Sequence, residues 1–202
     1  MRLIVVRHAE TSCNVEGRFT GQTDSPLSLL GEQQILLLGK YLATEQLDVI
    51  VSSDLQRART TAQAIARHHG LAVQEDADLR EISLGTWEGR MFSEVYECEA
   101  DLVALWKADP LTYAPQGGET LVQLHERIVR ALERWYTRFP DATVVWVTHG
   151  SFIGVLICHM LNIDIQRRGQ FRRNNASISE FVFVDGNLVK LVRLNETAFL
   201  HV

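Results

Sequence analysis

The chain has 202 residues, a length that suits one domain and lets a core form without disulfide or metal staples. Hydrophobic residues make up 46% and charged residues 22%, values that argue against a disordered or fibrous chain. The net charge of -5 excludes the overall basic field of a nucleic-acid binder, so an anionic ligand must be met by a local cluster of Arg.

The three cysteines, Cys13, Cys98 and Cys158, are odd in number and widely spaced, with no metal-ligand or paired spacing. They read as reduced thiols of a cytoplasmic protein. The N-terminal apolar run Leu3-Ile4-Val5-Val6 is too short for the core of a signal peptide. The longest apolar stretches, Ile35 to Leu38 and Phe152 to Leu161, fall short of a membrane span of about 20 residues. The expectation is a cytoplasmic protein with neither a membrane nor a nucleic acid as partner.

Leu3 to Val6 reads as a strand buried on both faces. A polar loop with Gly17, Gly21 and Pro26 follows. Ser28 is placed to cap a helix to about Thr44, in which Gly31 and Gly39 each cost about 1 kcal/mol relative to Ala. Asp48 to Val51 reads as a second strand, and Asp54 as the cap of a helix with Leu55, Ala58, Ala62, Ile65 and Ala66 on one face. A short strand begins at Leu71 to Val73. Glu81 to Gly118 is mixed, with helical pieces broken by Gly and Pro. A long helix runs from about Glu119 to Arg138, striped by Leu121, Leu124, Ile128, Ala131, Leu132 and Trp135. Thr143 to Val147 is a third strongly apolar strand, followed by a helix from Ser151 to about Leu161. Ile178 to Val184 and Leu188 to Val192 suggest a hairpin around Asp185-Gly186-Asn187. This alternation predicts an α/β domain spanning residues 1–202, with three layers and helices on both faces of a mostly parallel sheet.

Ligands of such folds bind beyond the C-terminal ends of the strands. Three corners there carry unusual residues: Arg7-His8, Ser52-Ser53-Asp54 leading to Arg57, and Thr148-His149-Gly150. Two His and two Arg at one sheet edge suit a phosphoryl group. Arg presents a planar fork that matches phosphate oxygens, and helix N-termini after Asp54 and Gly150 favour an anion. A neutral imidazole is a nucleophile, and nearby guanidinium charge keeps it neutral. With Arg and His compensating charge, no metal or other cofactor is required. Transfer from an ester also needs one carboxyl group to protonate the leaving oxygen and then deprotonate water; Glu10, Glu81 and Glu88 all qualify.

The ordered runs LIVVRHAETSCN, GRFTGQTDSPLSLLG, SSDLQRARTTA, LREISLGTWEG and VTHG resemble the histidine phosphatase superfamily, with its phosphoglycerate-mutase-like fold. The likeness extends from Met1 to the terminal LNETAFL; one departure is Ala9, where the family usually has Gly. The resemblance implies a phosphomonoester hydrolase of small phosphorylated metabolites, working by ping-pong through a phosphohistidine. It implies His8 as nucleophile, Arg7 and Arg57 on the phosphoryl oxygens, His149 as a donor to them, and Glu81 as general acid and base. Asn14, Thr20 and Gly21 would line the phosphate pocket, with the backbone at Gly150 and Ser151 contributing. Burial and a neighbouring phosphate are expected to raise the pKa of Glu81.

Mutases of the family share these residues but typically carry a longer insertion after the general acid. SLGTWEG after Glu81 is similar instead to the small phosphatases, including α-ribazole and broad-specificity phosphatases. The alternatives are a phosphoglycerate-mutase-type phosphotransferase and a non-catalytic phosphate-binding module, which would be expected to lose the nucleophile or the acid. Residues 86–118, with Tyr96, Trp106, Lys107 and Tyr113, are expected to form a short substrate lid, though these aromatics also suit plain packing. A homodimer is compatible with the resemblance. Arg167, Arg168, Arg172 and Arg173 read as a solvated surface run rather than a rim of the site, His125 and His159 as structural, and Asn174 and Asn175 as a turn.

Overall fold

A computed structural model describes residues 1–184 and 188–200. Its strands are β1 (Arg2–Arg7), β2 (Val49–Ser52), β3 (Val73–Glu75), β4 (Thr143–Thr148), β5 (Ile178–Val184) and β6 (Leu188–Glu196). They form one sheet in the order β3-β2-β4-β1-β5-β6. β3, β2, β4 and β1 run parallel, while β5 pairs antiparallel with both β1 and β6. β5 and β6 lie where the hairpin was expected; its turn at Asp185-Gly186-Asn187 falls outside the described residues.

The helices are α1 (Ser12–Glu16), α2 (Leu29–Leu42), α3 (Gln56–Ala66), α4 (Phe92–Cys98), α5 (Ala100–Ala108), α6 (Leu121–Arg138) and α7 (Gly150–Met160). The pleat explains why the strands are apolar throughout. Alternate side chains point to opposite faces, and both faces are covered. Leu3, Val5, Val51, Val144 and Trp146 pack in one core with α4 to α7. Ile4, Val6, Ile50, Val145 and Val147 pack in the other with α2 and α3. The expected three-layer α/β arrangement is what the chain adopts.

Two local expectations change. Asp54 does not cap α3: the N-cap is Leu55, without a side-chain bond. The Asp54 carboxylate pairs with Arg80 instead, and Gln56 N–H donates to Asp24 Oδ1 across 2.8 Å from a distant loop. The glycines of α2 have a packing reason. A Cβ at Gly31 would stand 2.0 Å from the Glu10 carbonyl oxygen, and one at Gly39 would stand 2.6 Å from that of Ala64. The propensity cost is accepted so that α2 can close on the β1 loop and α3.

Candidate active site

The sheet register sets the site. Arg7 of β1 lies opposite Thr148 of β4, and Ser52 of β2 opposite Val147. The residues that follow, His8 and His149, therefore leave adjacent strands at one level, with Ser53, after the next strand, one residue behind. Backbone bonds extend the ladder past the strand ends: His8 N–H donates to Thr148 O and Ser53 N–H to Val147 O, both across 2.9 Å. The His8 and His149 rings stand 5.1 Å apart, centroid to centroid.

His8 is 4% exposed. Its Nδ1 lies 2.7 Å from the Ala9 carbonyl oxygen, which can only accept. Nδ1 thus carries the proton and Nε2 the lone pair. Burial, reinforced by the charges of Arg57 and Arg7, drives the His8 pKa well below its ordinary value. His149 is likewise held neutral, by burial first and then by Arg57. Ser53 Oγ accepts from Leu55 N–H at 3.3 Å and lies 2.9 Å from His149 Nε2, to which its hydroxyl can donate. With Ser53 donating, His149 Nδ1 carries the ring hydrogen, and it has no partner among the described residues.

The arginines are oriented by backbone carbonyls. Arg57 Nη1 donates to Thr23 O at 2.7 Å and Nη2 to Gly21 O at 2.6 Å, while Arg7 Nη1 donates to Arg173 O. The Nε atoms of Arg7 and Arg57 are buried without a partner among the described residues. An unmatched buried donor on a charged group costs several times what a satisfied one contributes, so a cluster of them marks a place for an anion.

Glu81 faces the same pocket. Its carboxylate accepts from the N–H groups of Ile82 (2.9 Å), Ser151 (3.0 and 3.1 Å) and Phe152 (3.3 Å). The N-terminus of α7, expected to serve an anion, therefore holds this carboxylate. Of the three competing glutamates, Glu81 alone lines the pocket. Glu10 accepts from Ser28 Oγ, facing α2. Glu88 holds the loop, accepting from Gln22 and Leu84 N–H and from Thr23 Oγ1.

Asn14, Thr20, Gly21 and Ser151 line the cavity with Arg7, His8, Arg57 and Glu81, and Gly150 lies against Arg7 and Glu81. Gly21 has φ +52°, and a Cβ there would stand 2.2 Å from Glu88 Oε1. Eight of the sequence-selected residues thus line one cavity of about 230 Å³, and His149 and Gly150 adjoin it through His8, Arg7 and Glu81.

Several side chains do more than the sequence pattern suggests. Asn175 does more than hold a turn: its Nδ2 donates to His8 O and Asn14 Oδ1, both at 3.1 Å. Arg168 lines the cavity and Arg173 lies half-buried behind it, so the solvated-run reading holds only for the exposed Arg167 and Arg172. Arg127 of α6 was not singled out; its guanidinium binds Asp78 O, Arg80 O and Glu81 O and pairs with Glu119. The signal was an Arg inside the apolar stripe of an amphipathic helix.

The profile of the histidine phosphatase superfamily (branch 1) matches residues 3–197. The chain belongs to this superfamily. Phosphoserine phosphatase 1 of Hydrogenobacter thermophilus is 35% identical over 200 residues, covering 99% of this chain and 94% of its own. A probable phosphoglycerate mutase of Klebsiella pneumoniae is 34% identical, covering 89% and 83%. The crystal structure of the α-ribazole phosphatase from Shigella flexneri superposes with a TM-score of 0.90 at 26% identity, covering 97% of this chain and 96% of that one. This histidine phosphatase is a phosphomonoesterase of small phosphorylated metabolites.

Proposed function

We propose that this histidine phosphatase hydrolyses its substrate in two half-reactions through a phosphohistidine at His8. In the first, His8 Nε2 attacks phosphorus, the ester P–O bond breaks, and Glu81 gives a proton to the departing alcohol. In the second, water attacks phosphorus as Glu81 takes its proton, the P–N bond breaks, and inorganic phosphate leaves. Arg7, Arg57 and His149 take the equatorial oxygens, where charge gathers in a loose phosphoryl-transfer transition state. Asn14, Thr20, Gly21, Gly150 and Ser151 shape the pocket around them.

The observation that carries this reading is the trio of unpartnered buried nitrogens, Arg7 Nε, Arg57 Nε and His149 Nδ1, beside an imidazole held neutral with Nε2 unprotonated. Residues 86–118 act as the lid: Phe92 of α4 and Trp106 of α5 supply part of the apolar pocket wall. Trp106 also packs edge-on against Trp87, while Tyr96 lies under the Lys107 ammonium. We place the enzyme in the cytoplasm. Its three cysteines are free, and among the described residues no helix is long and apolar enough to cross a membrane.

The test is phosphate release from 3-phosphoglycerate and a panel of phosphomonoesters with EDTA present. Wild type turns over, and His8→Ala loses roughly three or more orders of magnitude. An acid-labile phosphoenzyme accumulates in wild type and not in the variant. Isomerisation to 2-phosphoglycerate with little free phosphate would overturn hydrolysis in favour of phosphotransfer.

A further inference from the structure

Nine arginines pair with carboxylates: Arg2, Arg18, Arg59, Arg80, Arg90, Arg127, Arg130, Arg134 and Arg193. Four others, Arg67, Arg138, Arg167 and Arg172, are exposed to water. The remaining four, Arg7, Arg57, Arg168 and Arg173, are withdrawn from water yet have no carboxylate within ion-pair distance among the described residues. One carboxylate, Glu81, influences all four electrostatically.

Two guanidiniums and a neutral imidazole donor suffice for a phosphoryl dianion. Arg173 is committed to the scaffold. It packs where a Cβ on Gly154 would stand, 2.1 Å from its Nη1, and that Nη1 donates to Arg168 O. Its own carbonyl accepts from Arg7. This chain of bonds ties the Arg168 segment to the phosphate-binding arginine. Arg168 is left over. The rest of its wall is apolar, from Phe19, Phe92, Trp106, Ile82 and Leu84, and the other arginine there, Arg18, is paired with Glu16.

We propose that Arg168 is a specificity-determining residue whose guanidinium binds a carboxylate on the alcohol part of the substrate. The substrate class is then a small phosphorylated hydroxy or amino acid. A planar carboxylate matches the guanidinium fork in two parallel bonds, and Arg168 lines the same cavity as Arg7, His8 and Arg57, within reach of the alcohol part of a bound ester. This inference rests on the phosphohistidine reading above.

The test uses matched substrates differing in the carboxylate: O-phosphoserine against O-phosphoethanolamine, and 3-phosphoglycerate against glycerol 3-phosphate. Wild type favours the carboxylate member of each pair by about tenfold or more in kcat/KM, as expected for a charge-assisted bond. Arg168→Gln brings both ratios close to unity, chiefly by raising KM for the acid, and Arg168→Lys restores part of the preference. Arg172→Gln, on the exposed side of the same segment, leaves the ratios unchanged. 2,3-Bisphosphoglycerate separates the two anion sources: a preference for it over 3-phosphoglycerate that vanishes in Arg168→Gln would assign the subsite to a second phosphate and overturn the carboxylate. Wild type without preference, or ratios that survive Arg168→Gln, would overturn the subsite while leaving the phosphatase reading intact. Turnover of p-nitrophenyl phosphate that is absent, or that survives His8→Ala, would instead overturn the reading beneath it.

Discussion

The two site imidazoles are neutral because they are buried beside guanidinium charge, and this links the site to stability. His8 and His149 have folded pKa values depressed far below the unfolded value, so over that interval the unfolded chain binds more protons. Stability must then rise with pH through the interval and fall as pH drops below the unfolded histidine pKa. Each imidazole contributes a slope of up to about 1.4 kcal/mol per pH unit. Urea unfolding at about pH 7.5 and about pH 5.5 should show the loss, and His149→Gln should flatten it. A slope unchanged in that variant would mean the imidazole is charged when folded. Glu81 permits a second prediction. Its substitution by Gln should cost about 100–10,000-fold with an alkyl phosphate, whose leaving oxygen needs a proton. With p-nitrophenyl phosphate, whose leaving group departs unprotonated, the first half-reaction should lose far less. Burst kinetics separate the two steps, and an equal loss of the burst rate with both esters would remove Glu81 from the role of acid.

Glu81 stands on neither a helix nor a strand but between the 3-10 turns Ala77–Leu79 and Gly85–Trp87, so its position is set by a neighbouring element. α6 supplies the splint. Arg127 grips the carbonyls of Asp78, Arg80 and Glu81 at 2.6 to 2.9 Å, and Glu119 accepts from Ser83 N–H at 2.8 Å. A lysine keeps the charge but cannot serve three carbonyls and a carboxylate from one nitrogen. Arg127→Lys should therefore lower kcat by about 10–100-fold, through misplacement of Glu81, with KM little changed. An unaltered kcat in a folded variant would show that the segment holds itself. This element also shows where the sequence was legible. The strands and α6 announced themselves through apolar runs and a helical stripe, and the corner residues followed from strand ends. Arg127 and Asn175 did not, because each binds backbone far away in sequence: 46 residues separate Arg127 from Glu81, and 167 separate Asn175 from His8. Arg168 did not either, because only the tertiary fold brings it to the cavity wall. Asp54 misled for the same reason, since its partner Arg80 is 26 residues away. Spacing along the chain carries local capping and periodicity but not such tertiary bonds, and Glu81 was singled out from Glu10 and Glu88 only by resemblance.

At the scale of the whole molecule two electrostatic effects oppose one another. The chain carries -5, which repels a phosphorylated acid at long range, whereas four guanidiniums and one carboxylate concentrate positive charge at the pocket. Screening decides between them, because the Debye length is about 10 Å at 0.1 M salt. The dispersed negative charges lie over the whole surface and are already screened from the pocket at moderate ionic strength. The arginines meet the substrate within a cavity whose apolar wall strengthens their field. If the local charges govern capture, kcat/KM should fall several-fold between about 0.02 and about 0.5 M potassium chloride, with kcat nearly constant. If the net charge governs, kcat/KM should rise over the same range as repulsion is screened. The sign of the slope, measured with one acid substrate and repeated in Arg168→Gln, tells which field the substrate responds to. A shallower fall in the variant would locate part of that field at Arg168.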